Sequence, residues 1–145
     1  MRLIGHTSGK CLEIDGSSIK NGARAQQWDC KGQPGADWVL KYEGTDRFRI
    51  VNVNSGKCLE VADSRKDNGA PVQQWECMPN MNTQLWSKED WYDPTWHDYM
   101  GTILTNELSG KVIEIDGSSK DNGALAQQWD IKGQRGAFWD VGTSD

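Results

Sequence analysis

The chain has 145 residues and a formal net charge of −5, a length that predicts one ordinary domain. No run of Lys and Arg is dense enough to follow phosphates, which argues against a nucleic-acid binder or an anionic-membrane binder. No apolar stretch approaches the length of a membrane span, and Met1 leads straight into Leu3-Ile4 without a signal-peptide pattern, as expected of a mature, excised or cytosolic protein.

A ten-residue stretch is written three times, at 21–30, 68–77 and 122–131. The similarity extends further, because 8–33 and 109–134 agree at 20 of 26 positions. Internal repetition at a fixed period indicates a repeat architecture. The predicted organisation is one domain, 1–145, with repeats at about 1–43, 44–90 and 98–145.

Each repeat predicts four short strands in the same order. The first strands are expected at 2–4, 48–51 and 102–105, and the alternating second strands at 11–15, 58–61 and 112–116. A third strand carries Gln-Gln-Trp, and a fourth begins at Trp38, Trp86 or Trp139. Twelve strands without a convincing helix predict an all-β fold, the β-trefoil.

An Asn-Gly pair follows each second strand, at Asn21-Gly22, Asn68-Gly69 and Asn122-Gly123. Asn-Gly is the strongest short-range signal for a two-residue hairpin turn, in which both residues take positive φ. The sequence therefore predicts a tight hairpin between the second and third strands.

An insertion at about 88–101 interrupts the repeat pattern. It contains Trp91, Tyr92, Trp96 and Tyr99 together with several acidic residues. These four rings have too much apolar area to leave in water, so the favoured interpretation is an aromatic plug over an open end of the barrel. An extension of a binding site and a partner contact are the alternatives.

The cysteines fall in pairs nineteen residues apart, Cys11 with Cys30 and Cys58 with Cys77. The third repeat has lost both together, to Val112 and Ile131, which implies that the members of each pair are bonded. Each bond stabilises the fold by roughly 3 kcal/mol and indicates an oxidising, secreted or extracellular setting. Four reduced cysteines in a cytosolic protein are the alternative. No spacing suggests zinc, and no metal or cofactor is expected.

Strand alternation then orients the tryptophans. Cys11, Glu13 and Asp15 share one face of the second strand, whereas Leu12 and Ile14 take the core face. If Cys30 bonds Cys11, then Trp28 and Gln26 lie on that outer face too. A bulge that reverses the register and buries Trp28 is the alternative.

The same alternation sets the other faces. Gln27, Gln74 and Gln128 face inward, where each needs hydrogen-bond partners that the sequence does not reveal. Trp38, Trp86 and Trp139 are assigned to the core.

The Ser-Gly-Lys-Cys-Leu-Glu string, the Asn-Gly turn, Gln-x-Trp-Asp-Cys and a further Trp, repeated three times, resemble the ricin-type lectin domains over essentially the whole chain. The resemblance implies up to three shallow sites for galactose-like or xylose-like units. It also implies cysteine pairing within a repeat. An indole beside a carboxylate and an amide suits a sugar, since the ring covers C–H groups while the polar groups bond hydroxyls.

Carried over to this sequence, the resemblance assigns a carboxylate, a Gln and a Trp platform to each repeat. These are Glu13, Gln26 and Trp28 in repeat one; Glu60, Gln73 and Trp75 in repeat two; and Glu114, Gln127 and Trp129 in repeat three. Asp15 and Asp116 are added as candidate contacts, and repeat two has Ala62 at that place.

Two departures from the family pattern stand out. All three carboxylates are Glu where Asp is usual. The family's Asn-Gln before the fourth-strand Trp survives only as Asn82 and Gln84 in repeat two. The adjoining loop offers substitute donors in the other two repeats, namely Lys31, Gln33, Lys132 and Gln134.

The leading functional hypothesis is a non-enzymatic carbohydrate-binding module, monomeric or weakly self-associating, whose partners are glycans. A trefoil scaffold that binds protein, as an inhibitor or a cross-linker, is the second hypothesis. A glycosidase is the third, because Glu89, Asp90, Asp93 and Asp98 crowd the insertion, although a solvated acidic loop explains them better.

Overall fold

The computed structural model describes residues 1–142, so the last three residues of the predicted third repeat lie outside the described residues. Twelve antiparallel strands account for the fold. They are β1 Leu3–Gly5, β2 Cys11–Ile14, β3 Ala25–Trp28, β4 Trp38–Tyr42, β5 Phe48–Asn52, β6 Cys58–Val61, β7 Val72–Trp75, β8 Trp86–Tyr92, β9 Tyr99–Asn106, β10 Val112–Ile115, β11 Ala126–Trp129 and β12 Trp139–Val141.

The strands form a β-trefoil, which confirms the predicted fold. Strands β1, β12, β9, β8, β5 and β4 pair in that order as a barrel, and the Trp38 amide closes it by donating to the Met1 carbonyl at 2.9 Å. The hairpins β2–β3, β6–β7 and β10–β11 attach to this barrel. Within residues 1–142 the only helical elements are three-residue 3-10 turns, and none could cross a membrane.

The fourth strand of each repeat begins at the predicted tryptophan, and each of these tryptophans is fully buried. Trp38, Trp86 and Trp139 lie in one hydrophobic core. Each indole N–H donates to a second-strand carbonyl, at 2.9 Å to Leu12, 3.0 Å to Leu59 and 3.1 Å to Ile113. Because the polar N–H has a partner, the large ring is buried without an unpaired donor.

The structure contains both predicted disulfides. The Cα atoms of Cys11 and Cys30 are 5.3 Å apart, and those of Cys58 and Cys77 are 5.0 Å apart. In repeat three the same place is filled by apolar contact, since Val112 is buried and Ile131 packs against its cluster.

The prediction of a tight Asn-Gly hairpin is wrong. Ile14 pairs with Ala25, so ten residues separate β2 from β3, and only the glycine of each Asn-Gly pair has positive φ. The pair contacts the neighbouring repeat instead: the Gly22 amide donates to the Gln74 carbonyl, Gly69 to Gln128 and Gly123 to Gln27, all at 2.8 Å.

The inward glutamines find their partners in the same neighbouring loops. The Gln27 amide donates to the Ser119 and Asp121 carbonyls, and Gln74 and Gln128 make equivalent pairs of bonds. Each buried amide therefore fastens one repeat to the next, which satisfies the polar group that the sequence left without a partner.

The insertion is not an aromatic plug. It extends β8 and β9 into a long hairpin, and of its four predicted rings only that of Trp91 packs against the barrel, with its centroid 6.1 Å from that of Phe138. Trp96 is 76% exposed, Tyr92 54% and Tyr99 45%. The expectation that all four rings are buried fails because a two-stranded hairpin has two faces, and only one of them reaches the barrel.

Candidate functional site

The strand register brings the predicted outer-face residues of each repeat together. Glu13 pairs with Gln26 across β2–β3, and Cys11 pairs with Trp28. The same pairs recur between β6 and β7 and between β10 and β11. Trp28 and Trp129 are half-buried, and Trp75 is exposed. The alternative register with Trp28 in the core is therefore wrong.

Each glutamate lies below the surface, not on it. Glu13, Glu60 and Glu114 are only 5–6% exposed, and both oxygens of each carboxylate accept hydrogen bonds from glutamine side chains. In repeat one, Gln26 donates to Oε2 and Gln33 to Oε1, both at 2.7 Å. A buried carboxylate needs such partners, and two amide donors supply them without a cation.

Repeat three reproduces this arrangement, but repeat two takes its second amide from another place. Gln134 donates to Glu114 at 2.9 Å, as Gln33 does to Glu13. In repeat two, Met81 occupies the Gln33 position, and the fully buried Gln84 donates to Glu60 at 3.1 Å. Gln84, which matches the family pattern, and its substitutes Gln33 and Gln134 therefore each donate a hydrogen bond to the buried glutamate of their repeat. Asn82 is exposed on the adjoining turn.

The tryptophan platforms differ in what lies over them. The Lys31 ammonium lies 5.8 Å from the centre of the Trp28 ring, and that of Lys132 lies 5.3 Å from Trp129. Repeat two has Met78 at the corresponding position, and the uncovered Trp75 is 38% exposed. Cation–π contacts of this kind are weak at exposed sites, about 0.5–1 kcal/mol, so a ligand can displace the lysine.

The rim of each site carries an exposed aspartate, which in repeat two comes from a residue that the sequence analysis missed. Asp15 and Asp116 are exposed at the end of the second strand, each followed by a glycine with φ of 64°. In repeat two, Ala62 replaces the aspartate and Asp63 replaces the glycine, with φ of 56°. Aspartate tolerates this left-handed conformation better than most residues. The sequence signal was the aspartate of Ala62-Asp63, which stands one position later than the aspartate of Asp15-Gly16 and Asp116-Gly117.

Open cavities mark two of the three sites. Glu13, Asp15, Gln26, Trp28 and Lys31 line a cavity of about 310 Å³ in repeat one. Glu60, Asp63, Gln73, Trp75 and Met81 line a cavity of about 160 Å³ in repeat two. No group of three His, Cys, Asp or Glu residues within 1–142 is arranged to hold a metal ion.

Each of the three platform tryptophans also contacts the Asn-Gly turn of another repeat. A Cβ added at Gly123 would lie 3.6 Å from the Trp28 ring, and Gly69 and Gly22 meet Trp129 and Trp75 in the same way at 3.7 Å. The preceding asparagines fix the residue after each tryptophan: the Asn122 Oδ1 accepts from the Asp29 amide at 2.9 Å. Asn68 accepts from Asp130 at 3.0 Å, and Asn21 from Glu76 at 2.8 Å.

These turns make every site a product of two repeats. Repeat three supports the platform of repeat one, repeat one that of repeat two, and repeat two that of repeat three. The asparagine side-chain amides add a bond to the aspartates, 3.0 Å from Asn122 to Asp29 and 3.1 Å from Asn68 to Asp130. The hydrogen bond from Asn122, followed by that from Lys10, lowers the pKa of Asp29.

Comparison with known families identifies the family to which the chain belongs. Residues 1–75, just over half of the chain, match the family described as ricin-type beta-trefoil lectin domain-like. The chain belongs to the ricin-type β-trefoil lectin family. The resemblance inferred from the repeated motifs is thereby confirmed.

Solved structures extend the similarity of this ricin-type chain to its full length. ThreeFoil, a designed three-fold symmetric protein, is 27% identical with a TM-score of 0.84, over 96% of this chain and 94% of its own. The exo-β-1,3-galactanase 1,3Gal43A from Clostridium thermocellum is 29% identical, with a TM-score of 0.83 over 96% of this chain. The hemolytic lectin CEL-III is 25% identical, with a TM-score of 0.75 over 99%.

The ricin-type chain spans 29% of the galactanase and 30% of CEL-III, so in both cases it corresponds to a part of a longer protein. A search of curated proteins finds no match to it.

Proposed function

We propose that the protein is a non-enzymatic carbohydrate-binding domain with up to three shallow sites for galactose-like or xylose-like units. The observation that carries the proposal is the outward tryptophan beside a Glu–Gln pair, placed in the same register in all three repeats. We also propose that the chain is one domain of three repeats, about 1–43, 44–90 and 98–145.

The indole is assigned the apolar contact. A sugar ring stacked on Trp28, Trp75 or Trp129 loses water from its C–H face, which is the main favourable term available at an open site. In repeats one and three the ligand displaces Lys31 or Lys132 from the ring. The freed ammonium then lies at the edge of the platform, where it donates to a sugar hydroxyl.

The polar contacts are divided between two carboxylates. Asp15 and Asp116 are exposed and accept hydroxyl hydrogen bonds at the rim, and Asp63 does so in repeat two. Glu13, Glu60 and Glu114 present one edge to the ligand while their amide partners hold them still. Bonds to an ionised acceptor contribute about 1.5–3 kcal/mol each, more than neutral pairs do.

The same pairing supports a binding role over a hydrolytic one. A glycosidase acid must give up and regain a proton, and it needs a second carboxylate across a cleft. Here the buried glutamate has both oxygens occupied by amides, in a depression that is open to solvent. Such a group is suited to accept hydroxyl hydrogen bonds.

Two observations support further parts of the proposal. Paired cysteines favour a secreted or extracellular protein. The similarity to a protein named as an exo-β-1,3-galactanase makes galactose units the first class to test. Each site is shallow, so we expect dissociation constants of about 0.1–1 mM, and useful affinity comes from engaging several sites at once.

The test is titration calorimetry with galactose, lactose and xylose, alongside a chromatographic assay for release of products from lactose and xylan. Saturable heat without product supports the proposal. Product release would assign an enzyme instead. Absence of heat with all three sugars, combined with capture of a protein on immobilised domain, would favour the scaffold hypothesis.

A further inference from the structure

The β8–β9 hairpin presents aromatic rings that the fold does not use. Its tip is held in one shape by Asp93, whose carboxylate accepts from the Thr95 amide at 2.7 Å and the Trp96 amide at 2.8 Å. The Asp93 amide donates to the Asp98 carbonyl at 2.8 Å. An ordered turn with its rings in solvent is a pre-formed surface, and a contiguous group of exposed rings is a feature of binding sites.

A separate cavity of about 470 Å³ opens at the base of this hairpin. The wall consists of Tyr99, Asp90 and Thr102 from the hairpin and Asp140 from β12, with Lys88, Glu89 and Val141 at its edge. Its volume is within the range of small-molecule sites, about 300–1,000 Å³, and exceeds that of the cavities at Trp28 and Trp75.

The groups in the wall are fixed by one another. The Tyr99 hydroxyl lies 3.3 Å from the Thr102 hydroxyl, which donates to Asp90 Oδ1 at 3.1 Å. His6 Nδ1 lies 2.7 Å from Asp140 Oδ1, and the His6 ring meets Tyr99 edge-on at 5.8 Å. These bonds engage only the Oδ1 atom of Asp90 and of Asp140.

The wall favours a hydroxylated, uncharged ligand. The acidic side chains are not arranged to hold a metal ion in the described part of the chain. Three carboxylates against one lysine repel an acidic ligand. An exposed ring beside two carboxylate acceptors and a hydroxyl is the combination that suits a sugar, with C–H groups over the ring and hydroxyls donating to the acids.

We propose that the hairpin and the cavity at its base form a fourth saccharide-binding site, outside the threefold pattern, which takes a neutral oligosaccharide. Tyr99 stacks on one unit, and Asp90 and Asp140 accept its hydroxyls. The Tyr92 ring lies 5.7 Å from Tyr99 and continues the aromatic surface, so a chain of several units binds better than one. This site takes its ligand class from the proposed function and none of its residues from the three repeat sites.

The test is residue-resolved NMR on the unmodified protein, titrated with xylose, xylotetraose, galactose and lactose. We expect the Tyr99, Thr102 and Asp140 amides to shift and saturate with their own dissociation constant, separate from that at Trp28 and Trp129. The oligosaccharide should bind there more tightly than its monosaccharide.

Two variants locate the effect. Tyr99→Ala and Asp140→Asn should each weaken binding at this site by about tenfold while leaving the repeat sites unchanged. Tyr42→Ala is the matched control, because Tyr42 is similarly exposed but lines a different cavity. Circular dichroism and thermal melting check that each variant folds.

Two results overturn the proposal in different ways. Shifts confined to the residues around Trp28, Trp75 and Trp129, with every probe at saturation, would remove the fourth site and leave the proposed function standing. Shifts nowhere would remove both. Equal weakening by Tyr42→Ala would show that the shifts at Tyr99 do not come from this cavity.

Discussion

The candidate sites of repeats one and three are nearly the same, whereas that of repeat two is built differently on the same base. All three share a buried glutamate held by two amides. Around that base, repeats one and three place an aspartate at the strand end and a lysine over the ring, and repeat two places Asp63 one residue later and leaves Trp75 uncovered. We propose that the base sets where a ligand lies, and that the rim sets which ligand is preferred.

The largest effect is expected from removing the like pair of platforms. Trp28→Ala with Trp129→Ala should weaken binding to a multivalent galactose or xylose polymer by about 100-fold, because simultaneous engagement is lost. Trp75→Ala alone should change the preference among sugars and keep most of the avidity. Calorimetry with free sugar counts the sites, and circular dichroism checks folding. A melted fold after Trp28→Ala would contradict the assignment of Trp28 as a platform that contributes little to stability.

The next largest effect is expected from removing a disulfide, and repeat three shows which residues can replace its cysteines. Cys58→Val with Cys77→Ile, the residue types found at Val112 and Ile131, should lower the free energy of unfolding by about 3 kcal/mol, because the unfolded chain regains loop entropy. Urea unfolding measures it, with Cys11→Val and Cys30→Ile as the matched pair. Sugar affinity at Trp129 should stay the same. An unchanged urea midpoint would contradict the prediction.

Exchanging the rim tests the comparison directly. Ala62→Asp with Asp63→Gly gives repeat two the sequence of the other repeats, and glycine suits the positive φ at that position. We expect the sugar preference at Trp75 to move towards that of Trp28 by about tenfold, the effect of one charge-assisted hydrogen bond. Competition calorimetry between galactose and xylose measures it. Asp15→Ala with Gly16→Asp should move the sugar preference at Trp28 towards that of Trp75. An unchanged preference in both variants would show that the rim aspartate does not determine specificity.

A smaller effect should appear in a repeat other than the one that is mutated. Asn122→Ala should weaken the site at Trp28 by about fivefold, the effect of roughly 1 kcal/mol in lost hydrogen bonding, and spare the site at Trp129. Asn68→Ala should affect Trp129 and spare Trp28. Site-resolved NMR titration distinguishes the two, and loss in the mutated repeat itself would refute the cyclic arrangement.

The smallest effect concerns acid. Hydrogen bonds from Asn122 and Asn68, followed by those from Lys10 and Lys111, lower the pKa of Asp29 and Asp130. A lowered pKa in the folded state means that the stabilisation is complete above the ordinary aspartate pKa and is lost as the pH falls through the folded value. NMR titration should find the pKa of both carboxyls lower than that of an unperturbed aspartate. Asn122→Ala should raise the pKa of Asp29 alone.

Much of this arrangement could be predicted from the sequence. The joint loss of two cysteines in repeat three indicated the pairing of the others, and strand alternation then placed Trp28 and Glu13 on the outer face. Strand alternation and the pairing of cysteines within one repeat involve residues close together in the chain, so both can be inferred from the sequence.

What could not be predicted depends on contacts between distant segments. The sequence named Gln33 and Gln84 as donors but did not show their acceptors, which are the equivalent carboxylates of Glu13 and Glu60. The Asn-Gly pairs were mistaken for hairpin turns because their partners lie in another repeat. The hairpin rings were expected to be buried because apolar area was considered without the shape of the element that carries it.

The cyclic support of the platforms also sets an order in which the sites are completed during synthesis. Trp75 contacts Gly22, which has already been synthesised when Trp75 emerges, whereas the partner of Trp28 is Gly123 in the last repeat. A nascent chain that has emerged through its second repeat should therefore carry only the divergent site, which tryptophan fluorescence on stalled ribosomes can test. The sites at Trp28 and Trp129 should therefore form together, after the third repeat has been synthesised. The site at Trp28, whose residues are made first, is then among the last to be completed.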